Sequence, residues 1–276
     1  MNNFTVRTIS SVVFLAVMLA GLLLSPIAYG CLFLVIMTVA MQEFYAMSLG
    51  QQYAVQQKLA LLSAAIFFTV VLCHCNYGLD SRWLAVGLIP LIAIPISVLM
   101  KKERPEFGSF SYVFVAPVYI ALPICLSPFL VFAGGSFSGI SLLSLFILIW
   151  VSDVGAYCLG TAFGQKPDSR KLAPSISPKK SWIGFWGGVI LCVVAAFVLH
   201  LVGWLPYGLV HSLVLGVLVS VAGVCGDLFE SLWKRWFGVK DSGNCIPGHG
   251  GMLDRFDSSL LAIPVAVVYL TLFGLL

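Results

Sequence analysis

Residues 207–229 read YGLVHSLVLGVLVSVAGVCGDLF, an apolar run whose single formal charge is Asp227. About 20 such residues in a helix cross the hydrocarbon core of a bilayer. Eight further runs of this kind occupy roughly 6–25, 27–48, 58–76, 82–100, 110–126, 138–163, 182–203 and 257–276. The fifth is short and contains Pro117 and Pro123, which allows a break in it. The stretch Ser127–Gly135 leaves the count between eight and ten. With 60% hydrophobic and 9% charged residues, and a mean hydropathy of +1.04, an ordinary water-soluble domain is excluded. The reading is an all-α polytopic membrane protein of about nine transmembrane helices.

Charge placement favours nine. With the N-terminus inside, the inner segments hold fourteen of the fifteen Lys and Arg residues, and the outer side holds only Arg82. Such a bias places basic loops in the cytoplasm. The expected location is therefore the inner cell membrane, with the charged loops facing the cytoplasm. For Lys101, Lys102 and Arg104 topology signalling is a sufficient explanation. Arg7 followed by an apolar run resembles a signal peptide, but apolar character resumes at once after Ser25-Pro26, so a retained first helix is expected. The eight cysteines are scattered mostly within spans and read as small hydrophobes. The chain reads as one membrane domain: residues 1–140 mainly scaffold and lipid contact, 141–276 the catalytic half.

Immediately after the opening run comes Ser231–Asp257, SLWKRWFGVKDSGNCIPGHGGMLDRFD, which concentrates Lys234, Arg235, Lys240, Asp241, His249, Asp254, Arg255 and Asp257. Charge beside a lipid phase is expensive and marks a functional site by default. Cations suit phosphate, carboxylates suit a hard cation, and glycines such as Gly250 and Gly251 let backbone approach a ligand. Asp227, Glu230, Ser231 and Lys234 fall on one helical face by their spacing. Asp254 and Asp257 open the last helix, where acids suit the dipole. Asp227 and Asp254, from different elements, are the expected Mg²⁺ ligands.

Two shorter patterns add to this. Asp153, Tyr157, Gly160 and Gly164 share one helical face, an acid and a phenol over two small residues that make room for a neighbour. In Ser177-Pro178-Lys179-Lys180-Ser181, Ser-Pro reads as a helix N-cap and first helical residue. That puts two lysines in a first turn, where a bound phosphate would justify them. No Gly-Lys pair, His-Glu-x-x-His or Gly-x-Ser-x-Gly occurs, which argues against a P-loop, a zincin or a serine hydrolase.

Ser231 through Asp257 closely resembles the signature of the phosphatidate cytidylyltransferase (CDP-diacylglycerol synthase) family: Ser231, Lys234, Arg235, Lys240, Asp241, Pro247, His249, Gly250, Gly251, Asp254, Arg255 and Asp257 stand at the family spacing. The 153–157 and 177–181 segments are also similar, so the resemblance covers roughly 150–257. Trp233 replaces a smaller apolar residue, Val154 a Thr or Ser, and Ile183 an expected Glu, so no role for that acid carries over. The resemblance implies transfer of cytidylyl from CTP to phosphatidic acid, with pyrophosphate released. It implies Mg²⁺ at Asp227 and Asp254, with a monovalent cation such as K⁺ assisting. Phosphates fall to Lys234, Arg235, Lys240 and Arg255, together with Lys179 and Lys180; His249 orients phosphate or loop; Ser231 supports the metal shell; Asp257 binds metal indirectly or locks Arg255. Substrates and membrane lipid are the expected partners, nucleic acid is not, and a homodimer is compatible with the apolar scaffold. Two other readings compete: a CTP-dependent lipid-alcohol kinase, and a transporter of an anionic substrate. Against transport, Glu43 is the only acid within a span of the first half.

Overall fold

The computed structural model describes residues 3–100, 106–166 and 169–276, so Lys101, Lys102 and Arg104 lie outside the described residues. Among the described residues, nine helical segments are long and apolar enough to cross a membrane. The chain forms two compact units. One comprises Met1–Phe137 with Asp241–Arg255, the other Ser138–Lys240 with Phe256–Leu276. The stretch 231–257 is thus shared, its loop 241–255 belonging to the first unit.

The first unit contains α1 (Asn3–Leu23), α2 (Pro26–Ser48), α3 (Ala54–Tyr77), α4 (Leu84–Leu99), α5 (Phe107–Ala116) and α6 (Leu122–Val131). Ser25 Oγ accepts the Ala28 amide at 3.1 Å and Pro26 opens α2, a cap that the Ser-Pro pair encodes locally. At the far end of α3 Gly78 takes φ +67°, the left-handed conformation that ends a helix most cheaply with glycine. The fifth span does not break at its prolines. Pro117 lacks an N–H, and the chain widens into a single π turn over Pro117–Ala121 before resuming as α6. One span therefore runs from Gly108 to Val131, longer than the 110–126 expected. The third also starts earlier, at Gln51, because its polar first turns carry Gln56, which is buried and donates to Ser97 Oγ at 2.8 Å. The core is aromatic: Tyr29, Phe33, Phe44, Tyr45 and Phe68 are fully or almost fully buried. The phenols that enter it are paired, Tyr29 with Ser127 Oγ and Tyr45 with the Val113 carbonyl, as buried polar groups must be.

The second unit is built on α7 (Gly139–Phe163), α8 (Trp182–Leu201), α9 (Leu209–Trp236) and the body of α10, whose full range is Leu253–Leu272. Helices α7 and α8 pack unusually close. A Cβ on Gly184 would sit 2.8 Å from the Ala156 carbonyl, and one on Gly188 2.8 Å from that of Ser152. Small residues let backbones approach where no water-driven force holds helices together. Ser152 and Ser220 close a buried hydroxyl pair at 2.7 Å. Helix α9 runs on to Trp236, two turns beyond the apolar run, and α10 begins at Leu253 rather than at 257. Side chains such as Leu24, Ile89, Ile190, Val210 and Val268 remain exposed, which suits contact with lipid tails rather than water.

One expectation is overturned. Ser177 does not cap a helix. Lys171–Ala173 (β1) and Ser177–Ser181 (β2) form a small antiparallel hairpin, pairing Lys171 with Ser181 and Ala173 with Ser177. The cap of α8 is Ser181, whose Oγ accepts the Gly184 amide at 3.2 Å. Lys179 and Lys180 therefore precede the helix on a strand, and the dipole argument for them does not apply.

Candidate active site

A cleft of about 590 Å³ opens in the second unit. Helix α7 contributes Asp153, Tyr157 and Gly160, the predicted shared face. The hairpin contributes Lys179, Lys180 and Ser181, and α9 contributes Asp227. The glycines of the α7 stripe act as expected. Gly160 faces Gly184, and a Cβ on Gly164 would strike Ser181 Oγ, so the α7 end can lie against the start of α8.

Two residues that sequence reasoning passed over hold the hairpin there. Gln165 Nε2 donates to the Lys179 carbonyl at 2.9 Å, and Lys171 Nζ donates to the Gly164 carbonyl at 2.9 Å and to Gln165 Oε1 at 3.0 Å. The Trp182 amide adds a bond to the Arg170 carbonyl at 3.1 Å. The lysine pair is thus fixed to the end of α7 rather than left on a free loop.

Asp227 is the junction of the cleft. It forms an ion pair with Lys180, and Ser231 Oγ donates to its Oδ1 at 3.3 Å. One turn further along α9, Lys234 pairs with Glu230, whose side chain is wholly buried. Asp257 lies within electrostatic reach of Asp227, Asp153 and Lys234, and it accepts the Ser258 amide at 2.6 Å. Gly226 permits this approach, since a Cβ there would fall 2.5 Å from the Asp257 carbonyl. Arg235 is exposed in the last turn of α9 and Lys240 is exposed beyond it.

The remaining signature residues sit in the first unit. The loop folds back on itself through Ile246 N to the Gly250 carbonyl at 3.0 Å and His249 N to the Ile246 carbonyl at 2.9 Å. Gly248 and Gly250 adopt φ +77° and +85°, conformations that other residues reach only with strain. Asp254 Oδ2 accepts from Ser242 N at 2.9 Å, Ser242 Oγ at 3.0 Å and Gly251 N at 2.8 Å. Arg255 donates to the His249 carbonyl at 2.8 Å. His249 Nε2 meets Ser11 Oγ of α1 at 3.1 Å, and Arg7 donates to the Gly248 carbonyl at 3.0 Å. The helix start is also gripped by an acid that the sequence pattern did not single out for the site: Glu43 of α2 accepts Met252 N at 2.9 Å and Leu253 N at 2.8 Å. The available signal was its isolation, a lone carboxylate inside an apolar span.

Among the described residues no group of three or more His, Cys, Asp or Glu side chains is placed to hold a metal ion. A hard divalent cation bound through one or two carboxylates, with waters and substrate phosphates completing the shell, requires no such group. Of the two predicted ligands Asp227 fits that kind of site, whereas Asp254 Oδ2 is already engaged by Ser242 and Gly251. Asp227 is partly exposed to the cleft, with an ammonium beside it that could pass to a phosphate.

Fold and cleft together describe a polytopic membrane protein whose cleft is lined by two lysines and two aspartates. Sequence comparison carries this to a family: the profile described as "Cytidylyltransferase family" matches residues 5–273. The chain belongs to the cytidylyltransferase family. It is similar to the phosphatidate cytidylyltransferase of Bacillus subtilis, 36% identical over 190 residues, 68% of either chain. The enzyme of that name from Staphylococcus epidermidis is 29% identical over 271 residues, covering 96% of this chain and 98% of that one. The one from Haemophilus influenzae is 49% identical over 129 residues, 45% and 43% of the two chains.

Proposed function

We propose that the protein transfers the cytidylyl group of CTP to phosphatidic acid, giving CDP-diacylglycerol and pyrophosphate for phospholipid synthesis. Three lines support this: family membership, relatives named for that reaction, and a cleft that combines Lys179 and Lys180 with Asp153 and Asp227. The cleft is the observation that carries the reading. Its lysines suit a charged phosphate and its acids a cation that would accompany it, while the surrounding helices are lipid-compatible. In the reaction a phosphate oxygen of the lipid forms a bond to the α-phosphorus of CTP. The bond from that phosphorus to the bridging oxygen of the β-phosphate breaks, and pyrophosphate leaves with the electron pair. The lipid phosphate is already anionic, so positioning and charge neutralisation dominate and no strong base is needed. When bound, Mg²⁺ would neutralise charge on the triphosphate and the leaving pyrophosphate. We assign it to Asp227 and Asp254 on the strength of the motif they belong to, with a monovalent cation assisting. Lys179, Lys180, Lys234, Arg235, Lys240 and Arg255 bind phosphates. Placement in the inner membrane with these loops in the cytoplasm follows from the distribution of Lys and Arg.

The test uses purified protein in detergent with phosphatidic acid, Mg²⁺ and CTP labelled separately at the α- and γ-phosphates. The expected result is lipid carrying the α-label, with pyrophosphate released. Lipid carrying the γ-label would identify a kinase. Label in neither, with folded protein, would remove the transferase reading and restore the transporter.

Lys180 provides a further check. Its ammonium lies beside Asp227 in the cleft, where a phosphate contact would be partly desolvated. Lys180→Met is expected to lower kcat/KM by about 100-fold, the order seen when one donor to developing charge is removed. Lys180→Arg, which keeps the charge but not the point geometry, is expected to recover part of that loss. Steady-state kinetics on both variants decides it, and a Met variant within threefold of the parent would take Lys180 out of the phosphate site.

A further inference from the structure

We propose that Glu43, an acid within the second membrane helix, is a positioning residue for the transfer site: it sets the loop 242–253 and, through it, Asp254 and Arg255. The inference rests on the cytidylyl-transfer reading for its kinetic arm only. A carboxylate at this depth is expensive unless its oxygens are satisfied. Glu43 Oε1 accepts the Met252 amide, while Oε2 accepts the Leu253 amide and lies 3.1 Å from Ser242 Oγ. These are amides at the start of α10, the place where a helix leaves N–H groups without intrahelical partners and where its dipole favours negative charge. Usually a residue just before the helix provides such a cap. Here the nearest acid of the helix itself, Asp254, is turned the other way, onto Ser242 and Gly251. Two carboxylates, one from α2 and one from α10, therefore converge on Ser242, whose single hydroxyl proton serves one of them at a time.

The glycines of the loop fit the same account. A Cβ on Gly243 would lie 2.7 Å from Glu43 Oε1, and one on Gly251 would lie 2.4 Å from Glu43 Oε2 and closer still to Ser242 Oγ. Their absence of side chains makes the space that the Glu43 carboxylate fills. The amides of Gly251, Met252 and Leu253 are all committed to Asp254 and Glu43, so the loop base is built around carboxylates supplied by the protein. Nothing in the local sequence of 241–257 provides this hold; it comes from a residue about 200 positions away.

Glu43→Gln tests it. The amide replaces one acceptor oxygen with a donor that faces a backbone N–H, so one bond is lost and a donor–donor contact is created. In full-length protein in detergent, hydrogen exchange followed by mass spectrometry is expected to show 242–253 exchanging about tenfold faster, as loss of a charge-assisted bond would give. Exchange over the hairpin 171–181 should stay unchanged. Turnover is expected to fall by about tenfold in kcat, with KM for CTP and phosphatidic acid within about twofold, because an orientation effect appears in the transition state. Unchanged exchange at 242–253, or faster exchange spread evenly through both units, would overturn the proposal. So would a kcat within twofold of the parent despite a loosened loop. If Glu43→Gln does not fold, Ser242→Ala removes only the shared hydroxyl. It is expected to loosen the same segment and lower kcat by a smaller factor, and no change in either would overturn the proposal. Parent protein without transferase activity, whose 242–253 exchange still responds to Glu43→Gln, would strike the transfer reading and leave the loop anchor standing.

Discussion

Asp227→Asn is expected to reduce turnover by about 1000-fold, near 4 kcal/mol of transition-state stabilisation, while the protein still inserts and folds. Asn is close to isosteric and still accepts from Ser231, so the packing around α9 should survive. The negative charge does not survive, and with it go the proposed hard-cation ligand and the ion-pair partner of Lys180. Without the carboxylate beside it, Lys180 is free to bind phosphate more tightly. The variant should therefore retain or improve its KM for CTP while kcat collapses, the signature of an interaction that matters in the transition state. A loss confined to KM, with kcat preserved, would mean that Asp227 serves only to place Lys180. Activity near that of the parent would remove Asp227 from the reaction altogether.

Much of this could be read in the chain before the structure. The nine spans follow from apolar length, and their errors lie where length and hydropathy part. Gln51, Gln52, Gln56 and Gln57 precede the run expected from 58, although Gln56 is buried against Ser97. The Asp153 stripe and the Asp227–Lys234 face were visible because helical spacing is local. The hairpin was not. Ser177-Pro178 reads locally as a helix start, and only the pairing of Lys171 with Ser181 and the Gln165–Lys179 bond show that these residues form a strand. Glu43 illustrates the other limit. Its isolation in an apolar span was legible, but its partners at 242 and 252–253 are set by tertiary packing alone. The expected division of labour, scaffold first and chemistry second, gains a link within the first unit. Arg7, Ser11 and Glu43 all touch the signature loop.

Glu230 separates folding from chemistry at the same site. Its side chain is wholly buried on α9 and pairs with Lys234, which is itself only 13% exposed. Breaking a buried pair by deleting one member leaves a charge in low dielectric and typically costs about 3–5 kcal/mol. Asp257 remains within electrostatic reach of Lys234, so Glu230→Ala is expected near the lower end, about 3 kcal/mol. Replacing both charges with apolar groups, Glu230→Leu with Lys234→Met, removes the uncompensated ammonium. Such double replacements are often neutral, so stability should return to within about 1 kcal/mol of the parent. Activity should not return, because Lys234 is also a phosphate ligand in the proposed reaction. Thermal unfolding in detergent and turnover, measured on the parent, the single variant and the double, give the two quantities independently. Stability and activity restored together would show that Lys234 serves the fold alone. Stability lost in the double variant as well would show that α9 requires the ion pair itself, not merely the absence of a stranded charge.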